Sequence, residues 1–287
     1  MKGRIAVVAV LLVAFAVLYS ETGFLQADSI DSNDQEAWQF QNGVIVGAEG
    51  FTLQGTSGEC WVMVHGYTST PDELRIVAEA ITNEFNDVVY VPRLDGHGMV
   101  PSALLGYSVD HWYKQVVGLA EQNKCKYLLG SSMGAMLALR YAETHKVKGV
   151  VSVGAPFSIQ PYYLPAGKIS GAVASTVTYT KRKKLGETID DVSARSKHIT
   201  GYSFPLAPVG EVYEFTQMVN QDLQKITANI LFLHAQNDRV AYIGGAKEAF
   251  EGIGSNKTFI ELKGNHVVFR DFEKEKAVNE VVKFRNY

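Results

Sequence analysis

A chain of 287 residues is long enough for one large or two small domains. Its 46% apolar and 20% charged residues are those of an ordinary globular protein, and a formal net charge of -3 offers no basic field for phosphates, which argues against nucleic acid as a partner. Two cysteines, Cys60 and Cys125, are too few for a disulfide scaffold or a Cys-rich zinc site and leave at most one bridge.

Lys2 and Arg4 precede an uncharged run from Ile5 to Tyr19, the pattern that export machinery reads. The run is shorter than the roughly 17 to 25 residues that span a bilayer as a helix, and longer than many signal-peptide cores. Leu18-Tyr19-Ser20 and Leu25-Gln26-Ala27 each put Leu where cleavage favours a small residue. Residues 1–20 are therefore expected to be an uncleaved inner-membrane anchor, with a cleaved signal peptide as the alternative. The body would then lie in the periplasm or outside the cell. Residues 21–37, mostly polar and acidic, read as a linker, and the folded body spans 38–287.

Short apolar runs follow at Trp61 to Val64, Val88 to Val91, Tyr127 to Leu129, Val150 to Val153 and Ile230 to Leu233, and they predict buried parallel strands. Between them, Asp72 to Glu84, Val109 to Gln122 and Met133 to Glu143 carry apolar residues at helical spacing. Strand and helix alternating in this way predict an α/β fold with a mostly parallel central sheet flanked by helices. Ligands meet such a sheet just past the carboxyl ends of its strands.

At that place, after the Tyr127 strand, Gly130-Ser131-Ser132-Met133-Gly134 fits G-x-S-x-G ahead of a helix. A strand turning at once into a helix strains and exposes the serine, so Ser132 is the candidate nucleophile. It needs a base held by an acid, in the chain order Ser, Asp or Glu, His. Only His145, His198, His234 and His266 follow Ser132, and of these His266 alone follows Asp238, the acid just beyond the Ile230 strand. His234 reads as a packed core residue, and Asp190, Asp191 and Glu214 as solvated acids. An oxyanion would be met by the N–H groups of Tyr67, in the turn Val64-His65-Gly66-Tyr67, and of Met133. His65 and Asp95-Gly96-His97-Gly98 read as structural turn residues.

The strings His65 to Pro71, Pro92 to Gly98, Trp112, Gly130 to Gly134, Asp238 and Gly264-Asn265-His266-Val267-Val268 resemble the bacterial carboxylesterase and monoacylglycerol lipase family of α/β-hydrolases, from about residue 58 to the C-terminus. The resemblance implies Ser132, Asp238 and His266 as a catalytic triad, Tyr67 and Met133 as oxyanion donors, and no cofactor or metal. It also implies a small cap inserted after the sixth strand, here at about 158–226. In that stretch Tyr162, Tyr163, Tyr202 and Phe204 are candidates for lining an acyl pocket, with packing of the cap onto the body as the alternative. Lys181-Arg182-Lys183-Lys184 reads as a solvated face rather than a headgroup site. The family's sheet order makes the strands of Cys60 and Cys125 neighbours, and equal offsets from His65 and Gly130 bring the cysteines within reach of a bridge in an oxidising compartment, with two buried free thiols on opposite faces as the alternative. The expected activity is hydrolysis of carboxylic esters with one acyl chain through an acyl-enzyme. Acyl transfer or thioester hydrolysis on the same triad is the first rival. A binding protein or membrane-tethered structural partner on a hydrolase scaffold is the second.

Overall fold

The structure, a computed structural model, describes residues 38–159, 180–182, 188–201, 203–205 and 207–286. The anchor or signal at 1–20 and the linker at 21–37 lie outside the described residues, as do Tyr162, Tyr163, Tyr202, Lys183, Lys184 and the side chain of Phe204. Among the described residues no helix is long and apolar enough to cross a membrane.

The chain opens on a hairpin, β1 (Phe40–Gln41) and β2 (Val44–Ile45), whose two-residue turn is Asn42-Gly43, at φ 52° and 79°. Positive φ at both positions is what a tight hairpin demands and what Asn-Gly supplies. There follow β3 (Phe51–Leu53), β4 (Cys60–Val64), α1 (Arg75–Phe85), β5 (Val88–Val91), α2 (Val109–Asn123), β6 (Tyr127–Ser131), α3 (Met133–Thr144) and β7 (Gly149–Val153). Next come β8 (Thr180–Arg182), α4 (Val192–Arg195), β9 (Ser203–Pro205) and α5 (Ala207–Asp222). The chain closes with β10 (Asn229–Ala235), α6 (Ile243–Glu251), β11 (Lys257–Leu262) and α7 (Lys274–Arg285).

Seven strands form one sheet in the order β11-β10-β7-β6-β4-β5-β3. All its neighbours run parallel except β3, antiparallel to β5 at the edge. The two-residue alternation of strands sorts the core into two layers. Trp61, Met63, Leu129, Val151, Leu231 and Leu233 face α1 and α7, where Val77, Ile81, Val281 and Phe284 cover them. Val62, Val64, Leu128, Val150, Ile230 and Phe232 face the other side, under Trp112, Val116, Met136, Leu139, Val219 and Ala246. Both faces of the inner strands are thus dry, which is why β4, β6, β7 and β10 carry apolar runs.

The insertion expected at 158–226 falls between β7 and β10, where β8 and β9 pair as a separate antiparallel ribbon. In chain order this stretch follows the fifth strand of the large sheet, and β1 and β2 pair with each other outside that sheet. Cys60 and Cys125 are joined by a disulfide, with Cα atoms 4.8 Å apart. The register pairs Val64, not His65, with Gly130, so the equal-offset expectation is out by one position and Cys125 lies just ahead of β6.

Candidate active site

Every residue of β6 is buried, and α3 starts at Met133, directly after Ser132. The turn between them holds Ser132 at φ 53° and ψ -119°, a conformation that a residue with a side chain avoids. It is held there from both sides: Ser132 N–H donates to the Val153 carbonyl on β7 at 2.7 Å, and its own carbonyl accepts from Ala135 N–H at 2.9 Å. The flanking glycines have a steric cause. A Cβ on Gly130 would lie 2.1 Å from the Gly134 carbonyl oxygen, and one on Gly134 would lie 2.2 Å from that of Val64. The result points the Ser132 hydroxyl away from the strand at the N-terminal end of a helix, where backbone N–H groups and the helix dipole favour negative charge.

The loops after β10 and β11 bring Asp238 and His266 to this hydroxyl. Ser132 Oγ donates to His266 Nε2 at 2.9 Å, and His266 Nδ1 donates to Asp238 Oδ2 at 2.8 Å. Asp238 is buried, and its other oxygen accepts from the Val240 and Ala241 N–H groups, each at 2.8 Å. Burial alone would raise this carboxyl, but the facing His266 charge and these hydrogen bonds outweigh it and hold Asp238 below the usual carboxylate range.

His234 is a buried core residue, as its sequence context predicts, and it also backs the acid: its Nε2 lies 3.3 Å from the Ala241 carbonyl and 3.4 Å from Asp238 Oδ2. Burial lowers its pKa more than Asp238 raises it, so the ring is held neutral. His65 is a structural residue: Nδ1–H donates to the Gly66 carbonyl at 2.9 Å and Nε2 accepts from Leu94 N–H at 3.2 Å. Burial pushes its pKa down to about 4, and both ring nitrogens are already taken by these backbone contacts. Asp95 to Gly98 is a tight turn whose His97 ring packs edge-on against Trp112 and His65.

The turn carrying Tyr67 stands over Ser132, since a Cβ on Gly66 would lie 3.1 Å from the Ser132 Cβ. Three hydrogen bonds fasten this turn to residues 199–205: Tyr67 Oη donates to the Pro205 carbonyl at 2.6 Å, Thr70 Oγ1 to that of Ile199 at 2.8 Å, and Thr200 Oγ1 to that of Thr68 at 2.8 Å.

One acid read as solvated is not. Asp190 is mostly buried and its Oδ1 accepts from Arg239 at 3.0 Å and from Asn265 Nδ2 at 3.2 Å. Asp271, which the motifs do not mark, is a fully buried acid whose carboxylate accepts from the N–H groups of Asp190, Asp191, Asn265 and Phe272. Nothing in the local sequence separates it from the exposed acids nearby; in the structure a Cβ on Gly264, which sits at φ 119°, would lie 2.8 Å from the Asp271 Cγ. Among the described residues no group of three or more His, Cys, Asp or Glu is placed to hold a metal ion.

Comparison with known proteins places the chain in a family. Residues 59–272 match the family described as serine aminopeptidase, S33. A thermostable monoacylglycerol lipase from Bacillus sp. (strain H-257) is 26% identical over 84% of this chain and 95% of its own length. A carboxylesterase from Bacillus subtilis (strain 168) is 20% identical over 84% of this chain and 97% of its own. The crystal structure of a monoacylglycerol lipase from Paleococcus ferrophilus superposes with a TM-score of 0.72 at 21% identity, over 82% of this chain and 98% of that one. The chain belongs to the S33 family and is a hydrolase with the α/β-hydrolase fold.

Proposed function

We propose that this member of the S33 family is a serine ester hydrolase acting on esters of a single acyl chain, with monoacylglycerols as the leading substrate class. The observation that carries the reading is the unbroken chain of hydrogen bonds from Ser132 Oγ through His266 to Asp238, at 2.9 and 2.8 Å, with Ser132 at the start of α3. The names of the two bacillar relatives support the ester substrate.

Ser132 Oγ attacks the ester carbonyl carbon while its proton passes to His266 Nε2. Asp238 accepts from Nδ1–H, keeps Nε2 free to take that proton, and stabilises the imidazolium that forms. The carbonyl oxygen gains a negative charge that the Tyr67 and Met133 N–H groups receive. The tetrahedral intermediate then collapses: the carbon–oxygen bond to the alcohol breaks, His266 returns the proton to that oxygen, and the acyl group stays on Ser132. Water, deprotonated by His266, repeats the sequence and releases the carboxylic acid.

The stretch 158–226 acts as a cap, with Tyr162, Tyr163, Tyr202 and Phe204 taking the acyl chain. The N-terminal apolar segment delivers the body to the periplasm or beyond, with 1–20 as an anchor, and the Cys60–Cys125 disulfide fits an oxidising compartment of that kind. The test is a panel of p-nitrophenyl esters and monoacylglycerols from short to long chains, run on the wild type and Ser132→Ala, with thioesters, alcohol acceptors and aminoacyl amides as further arms. Turnover of esters that depends on Ser132 supports the reading. Turnover confined to aminoacyl amides would replace it with the peptidase activity that the family description carries.

A further inference from the structure

Asn265 joins the loops of the candidate acid and base. Its Oδ1 accepts from the N–H of Arg239, the neighbour of Asp238, at 3.0 Å, and from the N–H of His266 at 2.8 Å. An amide group can do this only with the oxygen turned toward both donors, and Asp190 Oδ1, 3.2 Å from Asn265 Nδ2, turns it that way. The same carboxylate oxygen takes the Arg239 guanidinium at 3.0 Å. Asp190 is not on the sheet. It lies in the segment 188–205 that returns toward the body, and Asp271 fixes its backbone by accepting the Asp190 and Asp191 N–H groups at 2.8 and 2.9 Å. Thr188 of that segment also accepts from Val267 N–H at 3.0 Å, and its far end holds the Tyr67 turn through Ile199, Thr200 and Pro205.

We infer that Asp190 is a positioning residue for the reaction proposed above: through the Asn265 amide it sets the His266 backbone relative to Asp238, so that the return segment of the insertion controls the alignment of the base. The inference rests on the serine-hydrolase reading. The ionisable groups around His266 that bear on its pH dependence are Asp238 at its Nδ1, His234 behind Asp238, and Arg239, Asp190 and Asp271 beyond Asn265. With the Asp190 carboxylate removed, the Asn265 amide loses an acceptor that holds its NH2 on the side away from His266, and the His266 to Asp238 contact loosens. A misplacement on the order of 1 Å costs about a hundredfold in rate. A looser contact also stabilises the imidazolium less, so the acid limb of the pH profile moves to lower pH.

The experiment is the rate of fluorophosphonate labelling of Ser132 in the full chain, followed across pH for the wild type, Asp190→Ala and Asp190→Asn. The expected result for Asp190→Ala is labelling slowed about ten- to a hundredfold with the acid limb displaced downward. Asp190→Asn keeps an oxygen that accepts from Asn265 Nδ2, and it should restore the rate to within about threefold and return the limb to its wild-type position. A residue that only supports the fold would lower the thermal midpoint and leave the pH profile where it was. If Asp190→Ala does not fold, Asp190→Ser, whose hydroxyl falls short of Asn265, takes its place. Wild-type rate and profile in the alanine or serine variant, or equal losses for alanine and asparagine, overturn the inference. A wild type that takes no label on Ser132 is a different result and overturns the hydrolase reading itself.

Discussion

Gly66 faces Ser132 so closely that a Cβ on residue 66 would lie 3.1 Å from the Ser132 Cβ and 3.8 Å from its Oγ. Gly66 is not among the residues of positive φ, so an alanine there adds no backbone strain and acts only on this contact. The Tyr67 turn must then retreat by a few tenths of an ångström from where an oxyanion forms. Gly66→Ala should therefore keep the wild-type melting temperature while kcat falls by about ten- to a hundredfold. Unchanged kcat on an ester substrate would remove the turn from the oxyanion site.

Removing the Ser132 hydroxyl should lower kcat by several orders of magnitude, with the residual rate coming from oxyanion binding alone. Asp238→Asn is the sharper probe. The carboxylate accepts from Val240, Ala241 and His266 and donates to none of them, so an amide must turn its NH2 toward one of these donors. Turned toward His266, it selects the tautomer with Nδ1 unprotonated and Nε2 unable to accept from serine. A loss of about ten-thousandfold in kcat is expected, by analogy with the serine protease triad. A loss under tenfold would show that the acid lies elsewhere.

The parallel strands, the helices between them and the elbow were legible because each rests on local chemistry: dry strands need apolar runs, and a strand turning straight into a helix needs Gly130 and Gly134. The edge strand β3 was not, since Phe51, Thr52 and Leu53 alternate in exposure over only three residues. Asp238 and His266 could be read from chain order because that order is a property of the fold. Asp190 could not: its burial comes from Arg239 and Asn265, about fifty and seventy-five residues away, and nothing near it in the chain marks those contacts. Asp271 was hidden for the same reason, as two of its four partners are the backbone N–H groups of Asp190 and Asp191, about eighty residues away.

Glu143 on α3 supplies a pH effect on stability. Its side chain is fully buried; Oε2 accepts from Arg140 Nη1 at 2.8 Å, and Arg140 in turn reaches Asp222 on α5 at 2.9 Å. Among the described residues Oε1 has no hydrogen-bond partner. Burial pushes the carboxyl up to about 7 against the pull of Arg140. An unfolded Glu titrates near 4.3, so between about pH 4.5 and 7 the folded protein binds a proton that the unfolded chain has lost. Stability from this group accordingly falls as pH rises through that window and levels off above it. Glu143→Gln, neutral throughout, should flatten that slope and raise the thermal midpoint at pH about 8. An unaltered slope in the variant would assign the effect to another group.

The disulfide between Cys60 and Cys125 sits where β4 and β6 begin, whereas Gly66 and Ser132 lie where those strands end. Its effect should fall on stability and leave the chemistry alone. The bridge closes a loop with a sequence separation of 65, for which loop-closure entropy gives about 4 kcal/mol. At roughly 2 to 4 °C per kcal/mol for a domain of this size, the Cys60→Ala/Cys125→Ala variant should melt about 10 °C lower, and the wild type should follow it on full reduction. Well below the transition, kcat should match that of the oxidised wild type, because the active-site turns are tied together by their own hydrogen bonds. Peptide mass spectrometry without reduction, on protein alkylated in its native compartment, should recover the two cysteines as one linked pair. Two alkylated thiols there, with an unchanged melting temperature in the double variant, would refute both the bridge and the oxidising compartment it supports.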